Sequence, residues 1–235
     1  MPAPITLTLP QARALMLAAQ GLLTPPAAPA VKANVLSAIR RMGALQIDTI
    51  NVVARSPYFV LFSRLGSYDP RWLDDLLAEG HLFEYWSHAA CFLPIEDYPL
   101  YRHIMLHDLK GWFVTWIQTH PDVVNMVLER ITAEGALRSA DFIAEKPQPG
   151  GWWNWKQEKI ALEQLFTSGK LMVDRRVNFQ RVYNLRERVL PKQLPAWDET
   201  QVPSHEETNN TLILRSVQAL GFARAAWVAD YFRLP

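Results

Sequence analysis

The stretch KQEKIALEQLFTSGKLMVDRRVNFQRVYNLRERVLP, residues 156–191, limits the fold more than any other part of this chain. Its first half reads as a helix that stops at Gly169, and two β-prone runs follow without a break. Upstream, HPDVVNMVLERITAEG reads as a helix, and LRSADF supplies Ser139 as the cap of a short second one. Three helices followed by a hairpin is the winged-helix order, a variant of the helix-turn-helix that docks on DNA. The hairpin is expected to turn at a basic tip, Asp174–Arg176.

A similar order appears earlier. TLPQARALMLAAQGL opens on Thr8 as an N-cap and closes at Gly21; after the stiff PPAAPA connector, VKANVLSAIRRMG is a second helix closed by Gly43. ALQIDTI alternates and predicts a strand, with Leu45 and Ile47 on one face and Gln46 and Asp48 on the other. NVVARSPYFVLFSRLG and DPRWLDDLLAEG read as helices, the latter capped by Asp69, and HLFEYWSHAACFLPI reads as a hairpin broken at Ser87–His88. After the polar linker PKQLPAWDETQVPSHEETNN, TLILRSVQALGFARAAWVADYFRLP gives helix, glycine corner, helix, and the sequence ends before any wing. The expectation is a mainly α, α+β protein with small β-hairpins, built from tandem winged-helix domains. These are 1–115, carrying the Gln-Ile-Asp strand, 116–192, which is basic, and 193–235, a linker and an incomplete third module. The repetition lies in the order of elements, with no identity at a fixed period.

At 235 residues, nearly half of them apolar and a fifth charged, the composition is that of a globular chain with a substantial core. No run approaches the roughly 18 apolar residues of a membrane span, and the first residues lack a signal-peptide pattern. Cys91, between Ala90 and Phe92, reads as a buried small hydrophobe. A cytosolic protein is expected. The net charge of +1 hides a basic middle: residues 146–192 hold 10 Lys and Arg against 4 Asp and Glu. Such a stripe either attracts a polyanion or is simply a solvated face. Within it, Lys156 and Lys159 fall on the third helix of the second module and Arg175, Arg176 and Arg181 on its wing, where winged-helix proteins meet phosphates.

Gln46 and Asp48 are the foremost chemical candidates. A spacing of two on a strand sets an amide and a carboxylate side by side, able to hold and deprotonate a water or to stabilise a developing positive charge. The same spacing also occurs wherever a strand turns a polar face to water. His103 and His107 stand at i, i+4, but Ile104 takes the place of the glutamate of H-E-x-x-H and no third ligand is evident, so no metal is expected. PGGWWNW has neither the spacing nor the preceding strand of a phosphate loop, and no G-x-S-x-G elbow occurs. The nine tryptophans, clustered at 112–116 and 152–155, suit core packing better than base stacking.

Taken together, LQIDTINVVARSPYFVLFSRLG, EYWSHAACFLP, GGWWNWKQEKIALEQLFTSGKLMV and FQRVYNLRERVLP resemble the bacterial crosslink-repair DNA glycosylases of the YcaQ/AlkZ type, in order and over nearly the whole chain. The resemblance implies tandem winged-helix domains followed by a small β-rich domain, and excision of N-alkylated purines, with unhooking of interstrand crosslinks in some members. The family's signature is Gln, an aliphatic residue, then Gln or Asp; here it falls on Gln46, Ile47 and Asp48, which are implied to be catalytic. It further implies a monofunctional hydrolase without metal or organic cofactor, a monomer acting on double-stranded DNA in the bacterial cytoplasm. Arg55 and the basic residues of the second module would grip the backbone. Members run longer than 235 residues, so a truncation inside the third winged helix is expected. The competing reading is a winged-helix transcription regulator without catalysis, or a module whose wings contact protein.

Overall fold

The computed structural model describes residues 5–107, 112–142 and 157–234, with the side chains of 112–114 left aside. Helices dominate, joined by short antiparallel strands, as expected of an α+β winged-helix protein. The chain forms two compact units that interleave along the sequence. One is Met1–Leu73, Trp86–Pro94 and Ser204–Pro235; the other is Asp74–Tyr85 and Ile95–Pro203.

The first unit begins with α1 (Leu9–Ala19), held by a capping box between Thr8 and Gln11. In α2 (Lys32–Met42), Val35, Ala38, Ile39 and Met42 are buried, the i, i+3, i+4, i+7 stripe of a core-facing helix. Gly43 ends α2 at φ 73°, in the left-handed region where a Cβ is costly, and donates its N–H to the Ile39 carbonyl at 2.8 Å. That turn leads straight into β1 (Leu45–Gln46), which pairs antiparallel with β3 (Ala90–Pro94), Leu45 opposite Phe92 and Gln46 opposite Cys91. α3 (Ser56–Leu65) packs against β1 and α2, and α2 packs on β3, so Ile39, Leu45, Leu61, Phe92 and Leu93 are almost wholly enclosed. α10 (His205–Leu220) lies against α1 and α2 and turns at Gly221 into α11 (Ala225–Tyr231), whose Tyr231 hydroxyl donates to the Met42 carbonyl at 2.7 Å. α10 starts in the expected linker, because Ser204 and Glu207 form a capping box seven residues before the apolar run.

The second unit contains α4 (Arg71–Ala78) from Asp74 onward, β2 (Leu82–Trp86) as far as Tyr85, α5 (Tyr98–His107), α6 (Trp112–Thr119) and α7 (Pro121–Glu134). Then come β4 (Leu137–Arg138), α8 (Gln157–Thr167), β5 (Leu171–Val177), β6 (Gln180–Leu185) and α9 (Arg186–Val189). The strand order is β4-β6-β5, antiparallel throughout, with α7 and α8 packed together, which is a winged helix. The sequence α2-β1-α3-α4-β2-β3 has the same order of helices and strands as α7-β4-(Ser139–Phe142)-α8-β5-β6.

The wing turns at Asn178–Phe179, both at positive φ (50° and 65°), and not at Asp174–Arg176 as the sequence suggested. A two-residue turn of that kind matches the twist of the flanking strands, so the charged triplet is drawn into β5 beside a bulge between Val173 and Arg175. Among the described residues no helix is long and apolar enough to cross a membrane.

Candidate functional site

The site grows from the end of α2. The αL turn at Gly43 and the two-residue β1 bring Gln46 to the surface with its side chain exposed, while Leu45 and Ile47 are buried on either side of it. The ladder goes one step further, the Ile47 N–H donating to the Ala90 carbonyl at 2.7 Å, and ends there. Asp48 therefore begins a turn instead of continuing a strand. Its Oδ1 accepts the Ile50 N–H at 2.9 Å, an Asx turn that fixes the half-buried carboxylate and leaves Oδ2 outside this bond. The expected strand is thus shorter than ALQIDTI, since the carboxylate competes for the backbone that pairing would have used.

Beyond Asp48 the chain closes a small loop, with an antiparallel bridge between Asn51 and Arg55. Arg55 is half-buried and occupies the N-cap position of α3, whose first turn carries the buried Pro57. Gln46, Asp48 and Arg55 are therefore supplied by one continuous turn of the first unit. At the base of the same unit, Arg64 donates to Gln20 Oε1 at 2.9 Å, and burial holds its guanidinium below the ordinary arginine value. Cys91 has its thiol pushed up to about 12, chiefly by burial, which makes it a packing residue and not a nucleophile.

The loop also holds what sequence reasoning overlooked. Ile50, Val52 and Val53 are 69%, 90% and 85% exposed. NVVARS reads as the start of a helix, but α3 starts only at Ser56, and the signal that could have found the loop is Asp48 two residues before an N–H it can accept.

The basic positions of the second unit divide. Arg175 has a 47% exposed side chain on β5, and Lys159 is exposed on α8. Arg176 and Arg181 do not fit the expectation of phosphate contacts: their side chains are 6% and 16% exposed and converge on the fully enclosed carboxylate of Glu84. Arg176 Nη2 reaches Glu84 Oε2 at 2.7 Å and Arg181 Nε reaches it at 3.0 Å. Arg181 also pairs with Glu163, which accepts the Tyr183 hydroxyl at 2.8 Å, and burial drives the Tyr183 pKa upward. Lys156 lies outside the described residues, as do Trp152, Trp153 and Trp155. Trp116 is buried and stacks on His120 at 4.4 Å between ring centroids, and Trp197 meets Tyr98 edge-on at 5.3 Å.

His103 and His107 lie with centroids 4.4 Å apart and ring planes tilted by 38°, and His103 Nδ1 lies 2.9 Å from the Pro203 carbonyl. Among the described residues no group of three or more His, Cys, Asp or Glu side chains is placed to hold a metal ion.

The family model described as DNA glycosylase AlkZ-like matches residues 39–235, which takes in the Gln46–Asp48 turn and most of both units. Among solved structures the chain is similar to the Streptomyces sahachiroi DNA glycosylase AlkZ, with a TM-score of 0.55 at 16% sequence identity, covering 97% of this chain. That likeness is one of fold, and the chain spans 65% of the length of the chain it matches.

Proposed function

This chain belongs to the DNA glycosylase AlkZ-like family, and from that premise we propose that it hydrolyses the N-glycosidic bond of N-alkylated purines, of the N7-alkylguanine type, in double-stranded DNA, and unhooks interstrand crosslinks made through such bases. The observation that carries the reading is the pairing of an exposed amide, Gln46, with a carboxylate, Asp48, fixed at the point where β1 ends.

The chemistry asks little of a base-leaving group that is already cationic. As the bond from C1′ to the purine breaks, its electron pair stays with the base and neutralises the ring. Positive charge passes to the sugar, and a water must arrive at C1′ and lose a proton. Asp48 stabilises that charge and takes the proton; Gln46 holds the water. The Ile50 N–H bond supports these roles, because a carboxylate fixed beforehand need not reorganise as charge develops. No metal or organic cofactor is needed for these steps. Arg55, Lys159 and Arg175 are proposed to contact phosphates, with the chain acting as a monofunctional monomer in a bacterial cytoplasm.

The test is base release from duplex DNA containing N7-methylguanine. Asp48→Asn keeps the shape and one acceptor but removes the charge, and should lower the single-turnover rate by roughly 10²-fold or more. Release at the wild-type rate by Asp48→Asn would remove Asp48 from the mechanism. Binding to duplex without base release by wild type would favour the transcription-regulator reading.

A further inference from the structure

We propose that the loop 49–55 is a wedge that enters the duplex beside the damaged base, with Val52 and Val53 as the intercalating side chains. This rests on the glycosylase reading and adds to it a residue-level device for presenting the base.

Four observations converge on this turn. Val52 and Val53 project from the loop almost as exposed as free side chains, and Ile50 beside them is 69% exposed. Short β-branched aliphatics are poor choices for a solvated loop, where Gly, Asn, Asp and Ser serve better. The loop is also braced: the Asn51–Arg55 bridge closes it, the Asx turn at Asp48 sets its entry, and Pro57 fixes its exit into α3. An apolar tip held on a rigid base can be driven between base steps, whereas a floppy one would fold back on its own unit. Next, the surrounding charge fits a polyanion. Residues 40–55 contain Arg40, Arg41 and Arg55 against a single acid, Asp48, and Arg40 and Arg41 are exposed at the end of α2. Apolar wedges flanked by cations are the means by which minor-groove proteins unstack a step.

The last observation is mechanical. The Ile50 N–H that anchors the loop is bonded to the carboxylate of Asp48, so wedge and charge are parts of one turn. Insertion of Val52 and Val53 would place Asp48 next to the unstacked nucleotide. A base inside an intact stack hides its sugar C1′, and an enzyme working there must distort or extrude the nucleotide.

The experiment uses the 235-residue chain and the variant Val52→Ser/Val53→Ser, which at such exposed positions should keep the wild-type circular dichroism spectrum. Two duplexes carry N7-methylguanine, one paired with cytosine and one opposite an abasic-site analogue that has already loosened the stack. The variant's rate defect should be roughly tenfold larger on the paired duplex than on the loosened one. Equal defects on the two would overturn the wedge while leaving the glycosylase reading in place. If wild type releases no base from either duplex, that reading fails, and the wedge is judged by 2-aminopurine placed beside the lesion. Fluorescence that rises on binding wild type but not the variant upholds insertion; no rise with wild type refutes it.

Discussion

Replacing Glu84 with glutamine should destabilise the second unit severely, although the position is far in sequence from every candidate catalytic residue. The Glu84 carboxylate has no exposed surface, and it accepts from Arg176 through both oxygens and from Arg181 through one. An amide of the same shape keeps one acceptor, presents an N–H₂ to a guanidinium, and withdraws the charge. Arg181 retains Glu163 at 3.1 Å, so Arg176, with 6% of its side chain exposed, bears most of the loss. Charge-assisted hydrogen bonds contribute about 1.5–3 kcal/mol each, and breaking a buried pair from one side costs about 3–5 kcal/mol. A loss of about 3–4 kcal/mol is therefore expected, equivalent to a fall in melting temperature of about 6–16 °C for a chain of this size. Urea unfolding of wild type and Glu84→Gln measures it. The double variant Glu84→Leu/Arg176→Met, which removes both charges together, should recover most of the loss. A deficit below about 1 kcal/mol, or a double variant no better than the single, would refute the network as a buried structural element. It would also return Arg176 to the candidates for phosphate contact.

Two other outcomes are expected. Salt dependence of duplex binding should separate the cations of the second unit: Lys159→Gln and Arg175→Gln each lower the slope of log K against log salt by about 1, whereas Arg176→Met lowers stability and leaves the slope unchanged. Burial, and then Arg233, hold the His88 imidazole below its ordinary value, so the unfolded chain takes up a proton that the folded chain refuses. Stability contributed by neutral His88 is complete above the ordinary histidine value of about 6.5 and is lost as pH falls through the lower folded value. The slope stays well under the limit of about 1.4 kcal/mol per pH unit because the ring is half-buried and screened. Urea midpoints at pH 7.5 and 5.5 should converge in His88→Gln.

Local rules explain which elements could be read in advance. Thr8 with Gln11, Gly43, Asp69 with Arg71, and Gly169 are signals that act over three or four residues, and each stands at or beside a helix end in the structure. Where a signal was outcompeted nearby, the reading slipped. Ser204 caps α10 inside the expected linker, and Asn178–Phe179 takes the turn expected at the charged triplet Asp174–Arg176. The interleaving of the two units was not legible at all. Residues 204–235 join the first unit because α10 packs on α1 and α2, and no pattern within α10 names its partners.

Charge shows the same boundary more sharply. Arg175, Arg176 and Arg181 are equivalent in a sequence, all of them basic residues on one predicted wing. In the fold a bulge between Val173 and Arg175 and the alternation of β5 send Arg175 outward and Arg176 inward to Glu84, 92 residues away. The apparent surplus of positive charge in the middle segment is thereby reduced where it would meet a polyanion, because a carboxylate from a distant segment neutralises part of it inside. Of the Gln46–Asp48 turn only the strand start lies on the legible side of that boundary; the Asx turn at Asp48 and the N-cap at Arg55 fall where a longer strand and an earlier helix were expected, although all three are set within ten residues of one another. A fixed carboxylate two residues from an exposed amide can be encoded in so short a stretch. A pattern of exposed charge cannot, because which cations stay at the surface is decided by the rest of the chain.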